Sequence, residues 1–387
     1  MKEIIVSFIQ LFTIIGAVIS FSYYYNEINK DIPNSLRTLS IISSLNLGLQ
    51  LFFGIFCSYI INEIGFFFSS LISFLLIGLS FIGTSFVNNI NIIYFTYGII
   101  CAIGFSMLIT MSASIILYKY GDSENFSKIF GISTLGSSFG LIIIPFIIQY
   151  LKIGLNLTWR ENIRYVGIGI CVAGFLLCFL MKPFEKPIIQ TLDTIITLKS
   201  SFNYLIKNYK YIMLVLAVTI YGTVHSVFYT YIIVYLTYNN DIEIKKTLSI
   251  PIIGIVSIFG KIITGFIAKK YPRQIYSICL LLVSTAYFIF ANYTNNELWN
   301  IYIVSFIIGF FGESSFTCYS SAMLTTIDNN YSNYATGLTF TIRAPLTIIL
   351  FIGLSYIQNS YGYFVLWTTC GCVTLSAFCL SLYKINS

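Results

Sequence analysis

Charge is absent from long stretches of this chain, and that absence limits the available folds more than any motif does. Lys, Arg, Asp, Glu and clusters of Asn, Pro and Gly bound twelve apolar runs at 4–25, 39–60, 64–87, 92–118, 128–151, 163–181, 211–237, 247–268, 273–292, 298–325, 334–357 and 361–383. A helix needs ~20 apolar residues to cross a bilayer core of ~30 Å. Only 9% of the 387 residues are charged, against roughly 25% in a soluble domain, so the chain lacks the polar surface that a water-soluble exterior requires. Soluble enzymes, nucleic-acid binders and secreted disulfide scaffolds are excluded on this ground. Runs such as 142–148, apolar at consecutive positions, do not alternate as barrel strands do. The expected class is therefore all-α and integral to the membrane. The first run is longer than a signal-peptide core and has no small-residue cleavage site, so it is expected to remain as a span.

The net charge of +7 is first a topology signal. With both termini on one side, that side collects twelve of the 21 basic residues and the other side seven. The positive-inside rule then places both termini in the cytoplasm. The two left over, Lys261 and Arg343, fall inside spans. The longest connection follows the sixth span and carries five lysines from Lys182 to Lys210. It divides the chain into an N-terminal six-helix bundle (1–181), a cytoplasmic linker (182–210) and a C-terminal six-helix bundle (211–387). The stretches Gly54–Gly65 and Gly260–Pro272 each set small residues at the end of a helix that turns tightly into the next. Equivalent features in two halves are what a duplicated carrier shows.

An ionisable side chain in a span is costly and marks a cavity or a partner. Lys261 lies in the eighth span with Ser257 and Gly265 one turn to either side. Glu313 lies in the tenth span and Arg343 in the eleventh. His225, the single histidine, lies in the seventh with Tyr221 and Tyr229 at i−4 and i+4. The second span adds Asn46 and Gln50. Each has a structural alternative: Glu313 and Arg343 neutralising one another, Lys261 snorkelling to the interface, His225 packing as a hydrogen-bonded ring. The functional expectation is that Lys261 and Arg343 hold the carboxylate of an anionic substrate. Ser257, Asn46 and Tyr221 add hydrogen bonds, Glu313 partners Arg343 in the empty site, and Glu313 or His225 couples protons. No CxxC pair occurs among the nine cysteines, so neither a metal site nor a cofactor is expected.

Several stretches resemble the monocarboxylate transporter family of the major facilitator superfamily. The run from Ile41, IISSLNLGLQLFFGIFCSYIINEIG, resembles that family's second span. Gly131–Gly140, GISTLGSSFG, resembles its fifth-span signature, followed by Thr158-Trp159-Arg160 where relatives carry Gly-Trp-Arg. Leu248–Lys270 resembles the eighth span, and Tyr334–Gly362 resembles the eleventh span and its exit. The acidic-Gly-Gly-Trp opening of the family's first span is missing, and a first-span lysine of its lactate carriers has its place near Ile19. In those carriers an Asp precedes an Arg by four residues in the eighth span; the matching positions here are Ser257 and Lys261.

The resemblance implies two six-helix bundles that alternate access to a central site. It implies a carrier, not an enzyme, that moves a small organic anion across the plasma membrane, with proton coupling open. It is also compatible with an accessory single-span subunit, alongside membrane lipid and the small-molecule substrate. The alternatives are a carrier for amino acids or another neutral solute, and a transporter-like sensor without flux.

Overall fold

In lipid every backbone N–H and C=O must be satisfied within the protein, which leaves helices as the natural form for unbroken apolar runs. The computed structural model describes residues 2–32, 36–120, 123, 125–181, 198–238, 248–292, 298–327 and 332–382. In the first half the helices are α1 (Lys2–Asp31), α2 (Leu36–Phe52), α3 (Gly54–Ser85), α4 (Ile90–Ile93), α5 (Cys101–Tyr120), α6 (Phe126–Gln149) and α7 (Trp159–Cys178). A short helix α8 (Leu198–Lys207) precedes α9 (Tyr209–Tyr238), α10 (Ser249–Ile267), α11 (Pro272–Ala291), α12 (Leu298–Ile307), α13 (Glu313–Leu324) and α14 (Ser332–Ser381). π turns at Tyr94–Ile100 and Ile308–Gly312 join α4 to α5 and α12 to α13. Most of the expected linker, 182–197, lies outside the described residues.

Ten helical stretches among the described residues are long and apolar enough to cross a membrane, where the sequence predicts twelve separate spans. The difference has two sources. The second span ends at Phe52 as the shorter apolar helix Ile41–Phe52. The last two spans run together as Leu338–Ser381, 44 residues, which would be ~66 Å if straight and far exceeds the bilayer core. The chain breaks out of helical geometry inside it at Gly362, with φ of 82°, and inside α3 at Gly65, with φ of 81°. Only glycine takes that left-handed conformation without a steric penalty. The two glycines stand at or near the predicted boundaries 60/64 and 357/361.

The buried hydrophobic residues sort into two clusters. One is drawn from Val6 to Leu177. The other runs from Leu205 to Ala377, with Ile19 and Leu141 added from the first half. Between them α6 packs on α10 and α2 on α14. The fifth-span signature acts here through backbone proximity: a Cβ at Gly136 would collide with the Phe8 carbonyl, and one at Gly140 would lie 2.6 Å from that of Phe12. Small residues let α1 and α6 close to this distance, and in lipid such packing drives helix association.

The Thr158-Trp159-Arg160 run performs a different task, at the opposite face from the start of α1. Thr158 and Glu161 form a reciprocal capping box that starts α7. The Asp31 carboxylate accepts hydrogen bonds from Trp159 Nε1 (3.1 Å) and Arg160 Nε (3.0 Å), and Arg160 also donates to the Val87 carbonyl at 2.6 Å. One guanidinium thus ties together the ends of α1, α3 and α7.

Candidate functional site

A cavity of about 310 Å³ lies between the two halves. Its lining runs from Tyr25 and Ser43 at one end to Leu117, Phe126 and Leu324 at the other. The second group belongs to the helix ends on the face where α1 begins; Glu3 at the start of α1 pairs with Lys119 at the end of α5 there. At the first of these ends the Tyr25 hydroxyl donates to the Leu39 carbonyl at 3.2 Å.

Among the described residues, four side chains of the Lys, Arg, Glu and His types line the cavity, and all come from the second half: His225, Lys261, Glu313 and Arg343. Three form one network. Glu313 is 6% exposed and Lys261 2%. Lys261 Nζ lies 3.1 Å from Glu313 Oε2, and His225 Nε2 lies 2.9 Å from Glu313 Oε1. The Tyr229 hydroxyl donates to the same Oε1 at 2.8 Å. Behind the ring, the Tyr221 hydroxyl is 3.2 Å from His225 Nδ1. Helical spacing sets Tyr221, His225 and Tyr229 on one face of α9. Glu313 is placed by the π turn that immediately precedes it; such bulges rotate the following helix and occur often at functional sites. Gly312 leaves room for the Tyr221 hydroxyl, which would stand 2.9 Å from a Cβ there.

Lys261 also reaches across to the first half. Its ammonium donates to Ser137 Oγ (2.5 Å), Ser138 Oγ (3.0 Å) and the Thr134 carbonyl (3.4 Å), all on α6. Ser257 does not line the cavity; it donates to Ser138 Oγ at 2.7 Å and supports that contact from behind. The first-half wall is neutral. It includes Asn46, Gln50, Thr134 and Ser137, and Asn46 Nδ2 donates to the Tyr97 carbonyl at 2.6 Å.

Arg343 stands apart. It lines the cavity, has no carboxylate partner among the described residues, and its Nε is buried without a hydrogen-bond partner. The guanidinium rests against Gly222, where a Cβ would lie 2.7 Å from a terminal nitrogen. The expected Glu313–Arg343 pair is therefore not formed. Glu313 is taken by Lys261, His225 and Tyr229 instead, because α9 and α10 present those side chains to the carboxylate. Nor does Lys261 snorkel, since its ammonium is held in the interior on both sides. Ser137, Ser138 and Gly222 have no place in the sequence-based site. The two serines lie inside the recognised fifth-span motif, but nothing local distinguishes a hydroxyl that meets a distant lysine.

The profile described as Major Facilitator Superfamily matches residues 4–352. The chain belongs to this superfamily. Its members are membrane carriers built from apolar helices, and this chain is an all-α membrane protein of that kind. It is similar to the human protein named Monocarboxylate transporter 14, at 25% identity over 139 residues, or 35% of this chain and 26% of that protein. The chain thus aligns with about a quarter of that relative's length.

Proposed function

We propose that this superfamily member is a secondary transporter that carries a small organic monoanion through the central cavity by alternating access. The observation that carries this reading is Arg343, a cation on the cavity wall with a buried, unpartnered Nε. A buried donor left unpaired is unfavourable, and a charge without a counter-ion more so. A carboxylate satisfies both needs, and a guanidinium presents two parallel donors to it. Lys261 is already neutralised by Glu313, so one positive charge is left for the solute and a monoanion matches it. The similarity to a protein named as a monocarboxylate transporter agrees with this class.

In the proposed cycle the halves 1–181 and 211–387 rock about the cavity, joined by 182–210. The Lys261 bonds to Ser137 and Ser138 cross from one half to the other, so they must break or re-form when the cavity changes sides. A proton taken up by Glu313 or His225 weakens the hold of that pair on Lys261. The freed ammonium then either binds the solute or exchanges partners on α6. This gives the empty and loaded states different affinities for the two conformations, which alternating access requires. Asn46 and Gln50 offer hydrogen bonds from the neutral wall. The excess of basic residues on the face where α1 begins supports a cytoplasmic side there, and the plasma membrane is the proposed site of action.

The test is counterflow in proteoliposomes with a panel of labelled carboxylates and their neutral amides, with and without an imposed pH gradient. Saturable exchange of carboxylates, accelerated by an inward proton gradient and absent for the amides, is the expected result. Exchange of amides as fast as carboxylates contradicts the anion reading. Ligand binding without exchange reassigns the protein as a sensor.

A further inference from the structure

The helix α8 lies outside the transport site and has an unusual surface for a ten-residue segment. Its sequence, LKSSFNYLIK, separates into two stripes. Phe202, Leu205, Ile206 and the following Tyr209 fall on one side of the helical wheel, and Asn203 and Lys207 on the other. Leu205 is 0% exposed and anchors α8 in the second-half core, where the helix touches α9 and α14. Phe202, Ile206 and Tyr209 are left 46%, 43% and 69% exposed. Lys207 is exposed beside them.

The chain changes course directly after this helix. Asn208 ends α8, and its side-chain oxygen accepts from the Tyr211 backbone N–H at 3.2 Å, which caps the start of the membrane helix α9. Its amide nitrogen donates to the Thr326 carbonyl at 2.6 Å, just past the end of α13. A short helix with one stripe in the core, one apolar stripe exposed and a lysine alongside, set where a span begins, has the form of an interfacial helix.

We propose that α8 binds the anionic phospholipid headgroups of the leaflet on its own face. Phe202, Ile206 and Tyr209 sit at the acyl boundary with Lys207 beside them, and the two lysines of the segment, Lys199 and Lys207, supply the charge that attracts the phosphates. Charge complementarity selects this occupant. The same face carries Lys269 and Lys270 after α10 and collects the excess of basic residues, and the cytoplasmic leaflet is the anionic one. Because Asn208 joins α8 to the end of α13, lipid binding holds in place the stretch that carries Met323 and Leu324 of the cavity lining.

The proposal concerns lipid binding and does not depend on which solute is carried. Its test is hydrogen exchange of residues 198–207 in the full chain, in nanodiscs of phosphatidylcholine alone and with added phosphatidylserine. Slower exchange in the anionic discs is expected, by about 25-fold for two lysines at about fivefold each, and it should shrink at high salt. Lys199→Gln with Lys207→Gln should abolish the difference between discs while α9 keeps its protection, which shows that the fold is intact. Phe202→Ser with Ile206→Ser should raise exchange in both kinds of disc. Equal exchange of the wild-type helix in neutral and anionic discs would overturn the proposal, including in favour of a soluble acidic partner. So would a lysine variant that keeps the full lipid dependence.

Discussion

The two walls of the cavity are built from different chemistry. Among the described residues the second half supplies all four of its Lys, Arg, Glu and His side chains, Lys261, Arg343, Glu313 and His225, and the first half answers with hydroxyls, amides and apolar side chains. The spans of the two halves are alike in length and apolarity, so the difference is one of chemistry at similar places. It separates two tasks. A charged wall fixes a solute and its protons, whereas a neutral wall gives hydrogen bonds that can be exchanged as the halves move. Lys261 belongs to both arrangements, with a carboxylate on its own side and serines on the other.

Breaking the charged wall from inside should have the largest effect. Glu313→Gln leaves Lys261 buried without its counter-ion, which is expected to cost ~3–5 kcal/mol of stability, seen as a lower unfolding temperature of the detergent-solubilised protein. Adding Lys261→Met should restore most of that stability without restoring any response of uptake to a pH gradient. A full pH response in the double variant would remove the network from coupling.

Arg343→Gln tests the other charge. No carboxylate is orphaned by this change, so folding and membrane abundance should hold while carboxylate uptake falls ~100-fold, in line with ~2–3 kcal/mol for a charge-assisted pair. Gln50→Glu brings an acid to the neutral wall. The approaches of Gly48 to Ile348 and Gly54 to Phe340 set the end of α2 and the start of α3 beside the Arg343 region of α14. The new carboxylate should compete with the solute and raise its apparent KM ~10-fold, equivalent to ~1.4 kcal/mol. Ser137→Ala should have the smallest effect. It removes one of several hydrogen-bond acceptors for the Lys261 ammonium, and a loss of ~1 kcal/mol should alter exchange rate more than affinity, as read by counterflow over a range of substrate concentrations.

The residues that break the apolar rule could be found without coordinates. Lys261, Glu313, His225 and Arg343 stand out because an ionisable group in a span is costly, and all four do line the cavity. Their pairing could not be found in this way. Glu313 and Arg343 lie on consecutive predicted spans, yet the π turn at Ile308–Gly312 aims Glu313 toward α9 and α10. Span order says which helices follow one another and nothing about which faces meet. Ser137 and Ser138 were hidden for a related reason, since small hydroxyl residues in a membrane helix most often bond their own preceding turn, as Ser137 also does with Thr134. The all-α membrane class was legible from charge gaps and clusters of Asn, Pro and Gly. The break between the last two predicted spans falls at Gly362, whose left-handed φ hydropathy does not register.

The central claim is that Arg343 is the anchor for a carboxylate, and equilibrium binding addresses it most directly. The purified protein and its Arg343→Gln variant are each titrated with a transported carboxylate and with the matching neutral amide. The expected result is tight binding of the acid by wild type only, with the variant treating acid and amide alike. Undiminished preference for the acid in the Arg343→Gln protein would contradict the claim.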